Sequence, residues 1–398
     1  MKLLKNTLFQ QAVTFVISII LLIVVGFFCN YEPALATDSE LQHAVVEEVI
    51  ATTAEPSVNG KEAKTVIFSA TITTGEHKGE SFKMTQLLDE MSPPVPEVVE
   101  PGNRILVAYT QSEHHGTSAI SGWTYAGVNH TLGVVLLVGG FLIMILIIGR
   151  GKGVSTIISL VITMIAVLYI YIPSLLLGYN IYLITILTTL FVIISTLCTL
   201  NGWNKKTLCS IIGNAGGILA SGVLAFFINN AFGITGVLNQ DYLFLTMLEG
   251  GVSIDLPALI WGGILIGSLG AVMDVSMSLA SAMQELSEQM YEPSFKKLVV
   301  SGFNIGRDAI GTMTNTLILA YVGGSMASIL LFAAYTSDFV VLLNYEMLLV
   351  EIIQAIVGSI GILLAVPITV FFSAWIFLKV PKKKTDSETE AAAESSAE

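Results

Sequence analysis

The sequence predicts an all-α membrane protein with about eight transmembrane helices and a small exported β-rich domain between the first helix and the second. Three observations lead to this fold class. Of 398 residues, 54% are hydrophobic and only 12% are charged, and the apolar residues form long uncharged runs. Residues 37–130 instead alternate apolar and polar residues between turn signals. Outside that stretch, the basic residues all fall on one side of the apolar runs.

The first apolar run is predicted to be either a signal anchor or a cleaved signal peptide. It covers residues 12–28, follows two lysines and precedes Ala34-Leu35-Ala36, which fits the small-residue pattern of a signal-peptidase site. A length of about 17 residues is long for the apolar part of a signal peptide and short for a span. Residues 1–36 are therefore assigned to this N-terminal segment, with both alternatives open.

Residues 37–130 are predicted to form an extracytoplasmic β-rich domain of about five or six strands. Alternating stretches such as 44–53 and 104–110 are separated by turn pairs such as Asn59-Gly60. All five histidines lie here or at the junction with the next run, and Glu113-His114-His115 is the group closest to a metal or pH-sensing site. Cysteines and the spacing of a ligand set are missing, so neither a metal nor a cofactor is predicted.

The remaining apolar runs are predicted to form a seven-helix transmembrane bundle over residues 131–380. The runs cover residues 132–149, 154–172, 181–200, 208–228, 258–283, 309–333 and 348–378. The apolar stretch 231–256 carries Gly-Gly and is followed by Pro257, a pattern that fits a partly re-entrant segment.

The distribution of basic residues predicts the topology in the cell membrane. The basic residues that flank the runs are Lys2, Lys5, Arg150, Lys152, Lys205, Lys206, Lys296, Lys297, Arg307, Lys379, Lys382, Lys383 and Lys384. The loops near 173–180, 229–257 and 334–347 contain none. Because cytoplasmic flanks carry the lysines and arginines, both termini are predicted to be cytoplasmic if the first span is retained. Residues 381–398 are predicted to be a disordered acidic tail.

The candidate site is a layer of polar side chains inside the predicted bundle. Three runs place small and polar residues at steps of three or four, along one face of a helix. These faces hold Gly263, Gly267, Gly270, Asp274, Ser278 and Ser281; Asp308, Thr312, Asn315 and Thr316; and Ser210, Asn214, Gly217 and Ser221. Counting from the inner helix ends at about 1.5 Å per residue places Asp274, Asn315 and Asn214 at one depth.

An ionisable residue within a membrane span is costly, which makes Asp274 a candidate functional residue. The carboxylate, the two amides and the hydroxyls of Thr312, Thr316 and Ser278 fit the binding of a partly dehydrated cation, or a proton relay. The glycines at 263, 267, 270 and 217 are expected to let neighbouring helices approach closely. The alternative is that Asp274 is protonated or hydrogen-bonded and only holds the helices together.

A second group of charged and polar residues lies near the ends of the spans. It comprises Arg307, Asp308, Glu249, Asp255, Glu351 and Gln354. These residues are candidates for gating. The alternative is that they are interfacial, since charges at span ends can reach water and a carboxylate at a helix start is favoured by the helix dipole.

Two classes of function fit these features. No P-loop, Gly-x-Ser-x-Gly, His-Glu-x-x-His or dinucleotide fingerprint is present, so neither an enzyme nor a nucleic-acid partner is predicted. The leading hypothesis is a transporter or permease for a small ion or solute. The alternative is a non-enzymatic membrane scaffold or signalling protein whose exported domain, residues 37–130, binds an envelope protein. The oligomeric state is not predicted.

Two segments resemble the YibE/F family of bacterial multipass membrane proteins. They are GGILIGSLGAVMDVSMSLASAMQE, from Gly262 to Glu285, and GRDAIGTMTNTLILAYVGG, from Gly306 to Gly324. The likeness extends over residues 40–380, including the β-rich region and the span count. It implies a multipass membrane protein but no particular substrate or reaction.

Overall fold

The computed structural model describes residues 7–28, 41–56, 62–88, 98–110, 122–247, 253–291, 293–335 and 338–378. Mostly helical, with a small sheet near the N-terminus, the chain has the secondary structure that the sequence predicts. It divides into two compact units: Glu32–Met144, and Met1–Tyr31 together with Ile145–Glu398. The predicted tail, residues 381–398, and the candidate cleavage site at 34–36 lie outside the described residues.

The smaller unit contains a five-stranded antiparallel sheet in the order β3-β2-β1-β4-β5. The strands are β1 (Leu41–Pro56), β2 (Glu62–Ile72), β3 (Ser81–Leu88), β4 (Arg104–Thr110) and β5 (Gly122–Val128). The long central strand pairs with both neighbours, so that Ala44 faces Ile72 of β2 and Ile105 of β4.

One face of this sheet holds the core of the smaller unit. Because side chains alternate between the two faces of a strand, Ala44, Val46, Ile105 and Val107 all point to the same side and are at most 1% exposed. Trp123 of β5 closes this core against the ring of Tyr109 at 5.3 Å and that of Phe82 at 5.8 Å. The side chains between these positions therefore lie on the opposite, outer face.

The helices account for the rest of the described chain. They are α1 (Thr7–Phe28), α2 (Thr131–Ile165), a π-helix (Ala166–Tyr171), α3 (Ile172–Leu176), α4 (Ile181–Asn201), α5 (Lys205–Phe232), α6 (Gln240–Thr246), α7 (Leu256–Gln289), α8 (Phe295–Gly324), α9 (Met326–Tyr335), α10 (Phe339–Leu343) and α11 (Glu346–Leu378).

The described helices include six that are long and apolar enough to cross a membrane, or seven if α8 and α9 count as one bent span. One of the six is the continuous stretch Thr131–Leu176, which is 46 residues long. The eight spans predicted from the sequence require this stretch to cross twice.

The chain turns back on itself in the middle of α2. Arg150 has φ 48° and ψ −127°, which is not a helical conformation. Beyond this break, the Cα of Gly153 packs against the main-chain carbonyl of Ile145, eight residues earlier in the sequence. In a continuous helix those residues would be about 12 Å apart along the axis. The break therefore falls between the two runs that the sequence separates at residues 149 and 154.

Short polar side chains begin several of the helices. Each accepts a hydrogen bond from the backbone N–H three residues later, which satisfies a donor that the helix leaves unpaired. The capping residues are Asn180 of α4, Asn204 of α5, Asn239 of α6, Asp255 of α7 and Ser294 of α8.

The core of the larger unit is formed by α5, α7 and α11, which are held together by small residues. A Cβ built on Gly217 of α5 would lie 2.8 Å from both the Ala365 Cβ and the Gly361 carbonyl oxygen of α11. Helix α8 packs onto α11 in the same way, because a Cβ on Gly302 would lie 3.0 Å from Val370. These contacts fix the rotation of each helix, and hence the side on which its polar residues fall.

Candidate polar site on helices α7 and α8

Helix α7 has a buried face of mostly apolar residues and an exposed face of small and polar residues. The buried side chains are Ile264, Leu265, Ser268, Val272, Val275, Ser276, Leu279 and Met283. The exposed residues are Gly263, Gly267, Gly270, Asp274 and Ser278. The stripe read from the sequence thus exists, but apart from Gly267 it points away from the helices that α7 packs against.

This orientation corrects the packing role expected for two glycines. Within the described chain, a Cβ on Gly263 or Gly270 would meet nothing within 4 Å. A Cβ on Gly267 would lie 2.8 Å from the Tyr321 hydroxyl and 3.2 Å from Gln354 Nε2, which are the ends of flexible side chains. The larger apolar residues of α7 make the contacts with the neighbouring helices, and Gly263 and Gly270 are left outside this interface. Of the four glycines proposed for packing, Gly217 makes the close helix contact.

Helix α8 is divided in the same way. Leu298, Gly302, Gly306 and Leu317 are buried. The exposed polar residues are Asn304, Arg307, Asp308, Thr312, Asn315 and Thr316. Thr312 donates to the Ala309 carbonyl at 3.1 Å. Thr316 donates to the Thr312 carbonyl at 2.9 Å. Because each hydroxyl hydrogen is used within the helix, the lone pairs of the two oxygens remain available as acceptors.

The exposed polar faces of α7 and α8 lie at the same height along the two helices. A Cβ on Gly302 of α8 would lie 2.6 Å from Met283 Sδ, and Tyr321 of α8 approaches Gly267. The helices are therefore antiparallel, and even spacing between these two contacts places Asp274 at the height of Thr312 and Asn315. We call Asp274, Ser278, Thr312, Asn315 and Thr316, all of them exposed, the polar strip.

Asn214 is separated from the polar strip. It lies in the core on α5, is 0% exposed, and neither its amide nitrogen nor its oxygen has a hydrogen-bond partner among the described residues. Its neighbours on α5 show its height along α7: the Ser210 hydroxyl lies 3.4 Å from the Ser276 carbonyl oxygen, and Gly217 packs against Val272. Asn214 is thus level with Asp274 but on the opposite face of α7.

The residues proposed for gating take different positions. Asp255 caps α7 by accepting from the Ala258 N–H at 3.1 Å, which is a structural role. Gln354 reaches the surroundings of Gly267, and Glu351 is partly exposed one turn earlier on α11. Arg307 and Asp308 are exposed and form no ion pair within the described residues. Glu249 lies outside the described part of the chain.

Two features near the site were not predicted. The Glu346 carboxylate at the start of α11 accepts from the backbone N–H groups of Thr235 and Gly236, both at 2.7 Å, and from the Thr235 hydroxyl. The axis also bends by 63° between α8 and α9, around the buried Ser325. In the sequence, the acid in the first turn of α11 and the Gly323-Gly324 pair before the bend are the only local signs of these features. The hydrogen bond of Glu346 could not be predicted from them, because its partner lies 111 residues away.

Chemically, the polar strip offers one carboxylate, hydroxyl oxygens and an amide, which are ligands for a small cation or hydrogen-bonding groups for a polar solute. The described residues contain no group of three or more His, Cys, Asp or Glu side chains placed to hold a metal ion. Long apolar helices with a few polar groups between them are typical of multipass membrane proteins.

The chain belongs to the YibE/F-like protein family, whose family model matches residues 137–379. The match covers α7, α8 and α11 and confirms the resemblance carried by the two segments around Asp274 and Asn315. No curated protein and no solved structure matched the chain.

Proposed function

We propose that this protein is a membrane permease for a small cation or polar solute and that Asp274 is its binding carboxylate. The observation that carries the proposal is the polar strip, an exposed carboxylate with hydroxyls and an amide on helices that are long and apolar enough to cross a membrane, if α8 and α9 count as one bent span. A carboxylate in contact with lipid at mid-membrane costs roughly 2.5–3.5 kcal/mol. A face of this kind is better suited to line a water-filled path than to meet acyl chains.

The bend between α8 and α9 supports this function. Broken helices are common at the binding sites of transporters, where irregular backbone lines a cavity rather than lipid. Here the break follows Gly323-Gly324, and Tyr321 in the last turn of α8 lies against Gly267 on the α7 stripe. The bend therefore lies at the end of α8, the helix that carries Thr312, Asn315 and Thr316 of the polar strip.

The open space beside Gly263 and Gly270 also supports the proposal, because it leaves room for a solute path. Since a Cβ at either position would meet nothing within 4 Å, the stripe next to Asp274 has room for a solute or water along α7. Bulky side chains at these positions would narrow the path without disturbing the core.

The proposal is tested by solute flux in proteoliposomes that contain the full chain, screened against a panel of monovalent and divalent cations. Asp274→Asn keeps the shape of the side chain but removes its charge, and we expect flux to fall at least about tenfold. Glu285→Gln is the matched control, because Glu285 is an exposed carboxylate on the same helix that accepts a hydrogen bond from Gln289. Flux through this control should be unchanged.

Both variants should insert and unfold at the same temperature as the parent, because both side chains are exposed. Equal flux in the parent and in Asp274→Asn would remove Asp274 from the path. The absence of flux for every solute in the panel would favour the scaffold alternative.

A further inference from the structure

A cleft in the smaller unit has the features of an independent binding site. It lies between the outer face of the sheet and the first turns of α2, and its volume is about 420 Å³. Its lining residues are His43, Ala44, Val45, Thr73, Thr74, Arg104, Asn129, Thr131, Leu132 and Val135. Pockets that take small ligands have volumes of roughly 300–1,000 Å³.

The cleft has a polar wall and an apolar wall. His43 and Arg104 are on the outer face, since Ala44 and Ile105 between them point into the core. Across from them, Leu132 and Val135 on α2 are 54% and 60% exposed. A ligand that fills the cleft would therefore contact hydrogen-bond donors on one side and hydrocarbon on the other.

Hydrogen bonds of Asn129 fix which atoms of His43 can donate. The Thr131 backbone N–H donates to Asn129 Oδ1 at 3.0 Å, so the other end of the amide must be Nδ2. This Nδ2 donates to Nδ1 of His43. A ring nitrogen that accepts carries no proton, which leaves the proton of a neutral His43 on Nε2. His43 thus presents an N–H rather than a lone pair.

Two other side chains of the cleft, Thr74 and Arg104, can also donate hydrogen bonds. The Thr74 hydroxyl oxygen accepts from the His43 backbone N–H at 2.9 Å, so its own hydrogen is free to donate. Arg104 is exposed, and the one ion pair found in the described part of this unit joins His77 and Glu80 instead. Arg104 is also the only arginine in residues 37–130. A guanidinium, a hydroxyl and an imidazole N–H therefore line one cleft, and no carboxylate is among its described lining residues.

We propose that this cleft binds the phosphate group of an anionic amphiphile. Arg104 and Thr74 contact the phosphate oxygens, and Leu132 and Val135 contact the apolar part. The planar fork of arginine matches two phosphate oxygens at once, and hydroxyls reach the others of the tetrahedral group. The same chemistry is offered by the headgroup of an anionic phospholipid and by a free phosphate ester. This site is separate from the polar strip and does not depend on the permease proposal.

The test uses the full chain in a nonionic detergent and a single-chain phosphatidylglycerol with a fluorescent acyl tail, with binding followed by anisotropy. Arg104→Gln should weaken binding of the probe about tenfold. The affinity of Arg104→Lys should lie between those of the parent and Arg104→Gln, because lysine keeps the charge but not the planar fork of arginine. Lys83→Gln is the matched control, since Lys83 is an exposed cation of the same sheet outside the cleft. It should bind like the parent.

Competition then separates the two sources of phosphate. Glycerol phosphate and inorganic phosphate should displace the probe only weakly if the apolar wall takes part, and Leu132→Gln should weaken binding of the probe but not of glycerol phosphate. Displacement by glycerol phosphate as strong as by the lipid, with Leu132→Gln silent, would identify a free phosphate ester as the ligand. The proposal would be overturned if the parent and Arg104→Gln bound the probe with equal affinity. It would also be overturned if Arg104→Gln and Lys83→Gln lost the same amount of affinity.

Discussion

Two glycines on adjacent helices show how differently the same small residue can act. Gly217 is enclosed, with Ala365 and the Gly361 carbonyl at 2.8 Å from the position of a Cβ, whereas Gly270 has open space. Gly217→Leu should therefore force α5 and α11 apart and cost roughly 1–3 kcal/mol or more, while Gly270→Leu should leave stability unchanged. Thermal unfolding in detergent measures both. Equal melting temperatures would contradict the packing described for Gly217.

Asn214 provides a second test at this scale. Each buried polar group without a partner costs about 1–3 kcal/mol, so Asn214→Leu, which keeps the same number and branching of side-chain heavy atoms, should raise the free energy of unfolding by at least about 1 kcal/mol. Asn230→Leu is the control on the same helix, because Asn230 is exposed and its amide bonds to the Phe226 carbonyl. A lower stability of Asn214→Leu would mean that the amide is hydrogen-bonded in the folded protein.

The grouping of residues on helix faces could be predicted from the sequence, but the direction of those faces could not. Asp274 shares a stripe with Gly270, as its spacing indicates, and Leu265 and Val272 lie on the other side of α7. In water, the apolar face would have to be the buried one. In a membrane, lipid is as apolar as leucine, so periodicity alone does not tell inside from outside. For this reason we expected glycines at the interface where the structure has leucine and valine.

Among the secondary-structure elements, the loop 233–238 depends on a single carboxylate. Glu346 at the start of α11 accepts from the backbone N–H groups of Thr235 and Gly236. Both N–H groups donate to the same oxygen, Oε1. Glu346→Ala removes this shared acceptor, so the two N–H groups should exchange with deuterium at least about tenfold faster, a loss of roughly 1.4 kcal/mol. Glu351→Ala on the same helix is the control. Unchanged exchange in Glu346→Ala would show that the loop is held by other contacts.

The break in α2 predicts an unusual effect of glycine. Arg150 has φ 48° and ψ −127°, a region that side chains disfavour at a cost of about 1–3 kcal/mol. Arg150→Gly should relieve this strain and maintain or raise the melting temperature. Lys152→Gly lies two residues later within the helix and should lower stability by about 1 kcal/mol. Equal destabilisation by Arg150→Gly and Lys152→Gly would contradict the strain described for Arg150.

The elements themselves follow from the sequence to different degrees. Residues 44–53, 65–72 and 104–110 form strands because their alternation gives the sheet one buried face. The break at Arg150 is marked by Gly149, Gly151 and two basic residues in an apolar stretch. The π-helix at Ala166–Tyr171 has no such mark, since one extra residue per turn changes hydrogen bonding but not composition.

At the scale of the whole molecule, the predicted topology can be tested with single cysteines. After Cys29, Cys198 and Cys209 are replaced by alanine, Lys83→Cys on β3 should react with a membrane-impermeant maleimide in intact spheroplasts. Glu288→Cys at the end of α7 should react only after permeabilisation, because the basic flanks predict a cytoplasmic position for that end. Both positions are exposed, so access to the thiol is not limited by the fold. Labelling of Glu288→Cys in intact spheroplasts would reverse the assigned orientation.

The turn at Arg150 has a consequence for the biosynthesis of the chain. Only Arg150 lies outside helical geometry in α2, and Gly153 is already packed against Ile145. At a translation rate of about 5–20 residues per second, the two apolar segments leave the ribosome within a few seconds of each other. Only the short basic stretch 149–153 separates them, so the second segment follows the first into the membrane without an intervening domain. The two segments therefore share the basic residues that set their orientation, and a charge-reversing change at Arg150 should affect the orientation of both together.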